Sequence, residues 1–218
     1  MPVSSSTIPE LLRRAATTTP DASAITAPDR RPLSFRQLED HVARTAAALR
    51  ALGLSRGDRV AVVLPNGPEI ATAFLGIASA AACAPLNPGY SEAEYDFYFE
   101  DLGVRALVVA GGSESTARAV ATMRSVPVVE LSVPDDSPAG FFSLLVPDSA
   151  TALALSEAMP DDVALILHTS GTTARPKMVP LRHRNLCASA TSISETLALT
   201  PLDVSLNVMP LFHIHGLV

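Results

Sequence analysis

Apolar positions follow two rhythms in this chain, and the rhythm changes from one segment to the next. Leu38, Val42, Ala46, Leu49 and Leu52 recur at helical spacing. Ser34 and Gln37 form a capping box ahead of them, and Gly53 ends the helix. Thr7 with Glu10 opens a helix running to about Thr18, with Pro9 in its first turn. Ser91 with Glu94 opens another that stops at Gly103. Further helices are predicted from Glu69 to about Ala82, from Ser113 to Arg124 and from Asn185 to Leu199. Compact apolar runs at Arg59 to Leu64, Ala106 to Ala110, Val126 to Leu131, Val163 to Leu167 and Val204 to Met209 read as strands. Ala84 to Asn87 is a short strand or extended link. Ala22 to Ala27 and Arg31 to Phe35 bracket Pro28-Asp29-Arg30 as a hairpin.

Strands and helices therefore alternate, which predicts an α/β fold with a mainly parallel sheet and right-handed β-α-β crossovers. Ser132 to Pro160 shifts to Pro, Asp, Ser and Gly and reads as a connecting segment with room for one short helix. It sets a boundary between residues 1–160 and 161–218. Gly111-Gly112 stands at a strand-to-helix junction, but without a G-x-G-x-x-G pattern it reads as a plain tight turn.

Composition narrows the function. A chain of 218 residues, 48% hydrophobic, can bury a sizeable core. The net charge of −6 gives no electrostatic footprint for nucleic acid, and Arg182-His183-Arg184 reads as a solvated group. Cys83 and Cys187 stand far apart without metal-ligand spacing and read as small buried residues in a reducing compartment. Met1 to Glu10 lacks the pattern of a signal peptide. Ile70 to Leu86 is Ala-rich, contains Pro85 and follows Glu69, so it fits a buried helix and strand and not a membrane span. A cytoplasmic protein is expected.

The chemistry lies between residues 168 and 177, His-Thr-Ser-Gly-Thr-Thr-Ala-Arg-Pro-Lys. Thr169, Ser170, Thr172 and Thr173 supply hydroxyl donors on either side of Gly171, which lets backbone approach a ligand closely. Successive N–H groups in such a turn form an anion-binding concavity, and Lys177 adds a mobile point charge. Pro176 holds the exit extended, so Lys177 leaves on a strand or turn. The Walker pattern G-x-x-x-x-G-K-[ST] is absent.

These residues resemble the phosphate-loop signature of the adenylate-forming superfamily, which comprises acyl- and aryl-CoA synthetases, luciferases and peptide-synthetase adenylation domains. Ala174 and Met178 stand where that signature has Gly, and each adds a Cβ that makes positive φ costly. The resemblance continues in Gly57-Asp58-Arg59-Val60 with Pro65-Asn66, in Ala84 to Pro88, and in Met209-Pro210-Leu211-Phe212-His213-Ile214-His215-Gly216. The family's later motifs have no counterpart before Val218, so the chain looks like the first two-fifths of such an enzyme. On that reading residues 1–160 are the N-terminal subdomain of an AMP-binding domain, and 161–218 begin the next. As it stands the chain is then expected to lack synthetase turnover.

The resemblance implies ATP, Mg2+ and CoA as co-reactants and a small carboxylic acid as substrate. Thr169, Ser170, Gly171, Thr172, Thr173 and Lys177 would contact the β- and γ-phosphates. His213 would border the acyl pocket and donate to the carboxylate. His215 would face the same acid if the segment is extended, since residues two apart then share a side; on a helix the two would diverge. Within the family, Ile166-Leu167-His168-Thr169, Arg175-Pro176-Lys177 and Leu211 to Leu217 are similar to oxalate–CoA ligases, which favours oxalate or another small dicarboxylate. Three alternatives stay open: an adenylation domain loading a carrier protein, a non-catalytic nucleotide-binding remnant, and a structural α/β domain with a solvated loop.

Overall fold

A computed structural model describes residues 6–145, 157–169 and 176–217. The capping boxes at Thr7, Ser34 and Ser91 all form and start α1 (Ile8–Thr18), α2 (Phe35–Ala51) and α4 (Glu92–Leu102). Between α1 and α2 lies the expected hairpin, β1 (Ser23–Ile25) antiparallel to β2 (Leu33–Ser34). Next come β3 (Arg59–Val63), α3 (Pro68–Ala78) and β4 (Ala82–Pro85), the last two preceding α4. The chain goes on through β5 (Ala106–Ala110), α5 (Thr116–Met123), β6 (Val128–Ser132) and β7 (Ser143–Leu145). It ends with β8 (Val163–Thr169), β9 (Lys177–Arg182), α6 (His183–Thr196) and a single turn, α7 (Ile214–Leu217).

Seven strands form one sheet in the order β7-β6-β5-β3-β4-β8-β9. The five inner strands are parallel, and β7 and β9 close the two edges antiparallel. β8 pairs with β4, so the described part of 161–218 continues the sheet begun by the first 160 residues.

Strand alternation sorts the core onto two faces. Val60, Val62, Val108 and Leu165 meet Leu38, Val42 and Leu49 of α2 and Ile70, Phe74 and Ile77 of α3. Ala61, Val63, Leu107 and Val109 meet Tyr95, Phe99 and Leu102 of α4 and Ala117, Val120 and Ala121 of α5. The division follows from handedness. The step from β3 to β4 runs one way along the sheet, and the step from β4 to β5 returns past β3. Right-handed crossovers of opposite direction place their helices on opposite faces. Such a reversal opens a crevice at the carboxyl ends of the strands.

The helices of the first face pack closely. A Cβ added at Gly76 would lie 2.5 Å from Thr45 Cγ2, so α2 and α3 meet where one side chain is missing. α1 is held by the backbone N–H of Ile8, which donates to Nδ1 of the buried His183 at 3.2 Å. Burial lowers the His183 pKa and keeps the ring in the neutral form that can accept.

Four expectations need correction. Arg182-His183-Arg184 is not solvated throughout, because His183 is buried between two exposed arginines. Val204 to Met209 forms no strand; its side chains are exposed, with Leu206 at 85% and Val208 at 74%. Its apolar alternation has no neighbouring strand to pair with among the described residues. The helix after Asn66 ends at Ala78, and β4 takes Ala82 that the periodicity had placed in the helix. The connecting segment contributes β7, paired with β6 through Leu131↔Leu144; residues 146–156 lie outside the described set. Gly111-Gly112 is the tight turn expected, with Gly112 at φ +68°. Both cysteines are free and buried, and desolvation raises their pKa values, so both stay thiols.

Candidate functional site

Thr169, where the Thr-Ser-Gly-Thr-Thr segment begins, and Lys177 sit at the carboxyl edge of the sheet. β8 enters beside β4 through Cys83↔Leu165, with Ala164, Leu165 and Ile166 buried, and reaches the edge at the exposed Thr169. β9 starts at Lys177, as the rigid φ of Pro176 favours. Thr169↔Lys177 and His168↔Met178 close the base of the hairpin. Directly opposed residues of an antiparallel pair project to one side. The Thr169 hydroxyl and the exposed Lys177 ammonium therefore stand together at the mouth of the loop. Ser170, Gly171, Thr172 and Thr173 lie outside the described residues.

His168 faces the other way, onto α4. Its Nε2 is 2.9 Å from the Asp101 carboxylate, and its ring meets the edge of Tyr98 at 4.6 Å. Tyr98 stacks on Tyr90 at 4.9 Å. The Tyr95 hydroxyl donates to the Asn87 carbonyl at 2.8 Å, and desolvation raises the pKa of Tyr90 and Tyr95, so neither ionises near neutrality. This aromatic group fixes the turn that follows β4, next to the loop's own strand.

A second segment reaches the same edge. Asn66, just past β3, accepts the backbone N–H of the buried Leu211 on its Oδ1 at 2.9 Å. His213 follows in a turn, its N–H donating to the Pro210 carbonyl at 3.1 Å and its ring lying 4.7 Å from Phe212. Gly216 packs against Pro210 so closely that a Cβ would collide with its carbonyl oxygen. That contact folds residues 214–217 into α7, and His215 lies on it. His213 and His215 are both exposed. The helical turn removes the condition, an extended segment, under which both rings would face one acid.

A cavity of about 520 Å³ opens at the same edge, lined by Asn66, Glu69, Gly111 and Glu130. A larger hollow of about 760 Å³ lies at the amino ends of the strands among Arg50, Arg56, Arg59 and Asp162. Among the described residues no three His, Cys, Asp or Glu side chains gather to hold a metal ion. No described helix is long and apolar enough to cross a membrane.

Sequence reasoning missed Asp101, Tyr98 and the tether from Asn66 to Leu211. Asp101 offered one signal. A carboxylate in the last turn of a helix opposes the dipole, and so points to a partner outside the helix. Asn66 offered none, since its partner is a backbone N–H far along the chain.

Several known proteins are similar to this chain. An oxalate–CoA ligase of Arabidopsis thaliana is 36% identical over 219 residues, covering 98% of this chain and 42% of the plant protein. An oxalate–CoA ligase of Saccharomyces cerevisiae is 40% identical over 187 residues, covering 75% of this chain and 34% of the yeast protein. The chain thus spans about two-fifths or less of the length of these relatives. The crystal structure of ATP-bound MatB from Rhodopseudomonas palustris superposes with a TM-score of 0.79 at 28% identity, over 97% of this chain and 42% of that one. The AMP-binding enzyme family matches from residue 12 to residue 218, nearly the whole sequence, and the chain belongs to that family.

Proposed function

We propose that the protein carrying this chain is an acid–CoA ligase that uses ATP to activate a small carboxylic acid, with oxalate the favoured substrate. The observation that carries the reading is the hairpin opening at Thr169 and Lys177, with Thr-Ser-Gly-Thr-Thr beginning at its mouth. One oxygen of the acid attacks the α-phosphorus, the bond to pyrophosphate breaks, and an acyl adenylate forms. The thiolate of CoA then attacks the acyl carbon and AMP leaves. A carboxylate is a poor electrophile, and adenylation supplies its leaving group.

The protein's task in the first step is to place two anions together and to meet the charge that moves onto pyrophosphate. Backbone N–H groups near Gly171 and the hydroxyls of Thr169, Ser170, Thr172 and Thr173 donate to the β- and γ-phosphates, and Lys177 adds its charge. His213 donates to the acid and borders the path of the thiol. His215 contributes to the acid pocket only where the segment after Pro210 opens out. Mg2+ would come with ATP, held by the phosphates and one or two carboxylates.

Similarity to oxalate–CoA ligases of a plant and a yeast supports the substrate, as do His168 and Arg175 flanking the loop core. ATP–pyrophosphate exchange by the full-length protein across a panel of acids is the test. Exchange with oxalate well above that with fatty or aromatic acids is expected. The reverse preference would refute the substrate, and no exchange with any acid would refute the activity.

A further inference from the structure

The carboxylate of Asp101 sits where its own helix disfavours it, in the last turn of α4 against the negative end of the dipole. Its partner is His168. An ionised carboxylate only accepts hydrogen bonds, so the 2.9 Å contact requires the proton on Nε2 of the ring. The His168 side chain is 5% exposed and braced by the edge of Tyr98. It immediately precedes Thr169, where the hairpin opens.

The sheet gives this end of β8 little hold on its inner side. Ala82 and Leu86 donate their N–H groups to Asp58 and Val62, toward β3, so the alternate residues Cys83 and Pro85 face β8. Cys83 pairs with Leu165, but Pro85 has no N–H to carry the ladder further. A side-chain tether supplies the restraint at the level of the loop.

We infer that His168 is a positioning residue, held by Asp101, that fastens the carboxyl end of β8 to α4 and so sets the place of Thr169, at which the Thr-Ser-Gly-Thr-Thr sequence begins. The effect on nucleotide rests on the phosphate-loop reading above; the anchoring itself does not.

Backbone hydrogen exchange and MgATP binding by calorimetry test it on the full-length protein and on H168A, D101A, H168A/D101A and H168Q. Glutamine keeps an N–H donor close to the position of Nε2. H168A and D101A should each speed exchange at residues 167–169 and 177–179 about tenfold and weaken MgATP about tenfold, the scale of one lost charge-assisted hydrogen bond. The double variant should be no worse than either single one. H168Q should recover most of both effects, with exchange in α1–α3 unchanged. Unchanged local exchange in H168A would overturn the anchoring, as would H168Q behaving like H168A with a global loss of protection. Faster local exchange with unchanged MgATP affinity would overturn the link to the loop. If the unmodified protein binds no MgATP, the phosphate-loop reading fails, and exchange alone decides the anchoring.

Discussion

Replacing Gly76 by Ala should destabilise the protein even though alanine is the better helix former. The new methyl carbon would stand 2.5 Å from Thr45 Cγ2 and 2.7 Å from Thr45 Cβ. Carbon atoms at rest in a core stand about 3.5–4.0 Å apart, so roughly 1 Å of separation has to be found. Thr45 cannot rotate out of the way, because its own Cβ is part of the clash and its hydroxyl is bonded to the His41 carbonyl at 2.9 Å. The backbones of α2 and α3 must part instead. Overpacking of this kind costs about 1–3 kcal/mol or more, and the helix gain of about 1 kcal/mol offsets only part of it. With a clash this close the cost falls at the upper end of that range, so a net loss of up to about 2 kcal/mol is expected. Urea unfolding of G76A, T45G and the double variant measures it. Exchanging which helix carries the glycine removes the clash, so the double variant should be more stable than the sum of the singles by at least about 1 kcal/mol. Additivity within about 0.5 kcal/mol would show that the helices do not meet at this point.

Lys177→Ala should weaken MgATP binding by roughly 10- to 150-fold, the equivalent of about 1.5–3 kcal/mol for one charge-assisted contact, with little change in acid affinity. Calorimetry with each ligand separates the two, and equal losses would indicate a folding defect. His41 is buried between Phe141 and Phe142 with Nε2 unpartnered, and desolvation lowers its pKa from 6.5 to about 4. The unfolded chain therefore binds the extra proton between those values, so stability is complete above pH 6.5 and falls as pH drops toward 4. From pH 7 to pH 5 the loss should reach about 2 kcal/mol at most. H41F should flatten the dependence of the urea midpoint on pH by one proton, and an unchanged slope would contradict the assignment.

Much of the fold was legible because its signals are local. Capping boxes at Thr7, Ser34 and Ser91 need only four consecutive residues, and all three start helices. The run Ala106 to Ala110 is a strand to the residue, because a buried parallel strand is apolar on both faces. Val204 to Met209 alternates apolar with polar residues as a half-buried strand does, but it forms no strand, since pairing depends on a neighbour that a local pattern cannot supply. At the candidate site, Pro176 foretold that Lys177 would leave on a strand or a turn, and it leaves on a strand. Nothing local foretold that Asp101 would meet His168, or that Asn66 would hold Leu211. Both contacts depend on which strands become neighbours, and that order is decided by the whole sheet.

The placement of β8 has a consequence for the order in which the chain can be assembled. β4 is made early in synthesis, yet its outer edge stays open until Leu165 arrives to pair with Cys83. α1 waits longer still, because the nitrogen that receives the Ile8 amide belongs to a residue 175 positions later. Contacts of such long sequence separation form slowly, since the intervening chain must first be drawn in. A ribosome has therefore made β3, α3, α4, β5 and α5 before the strand bearing the loop residues can take its place. The platform comes first and the hairpin is laid onto it, so a damaged loop can leave the rest of the sheet standing.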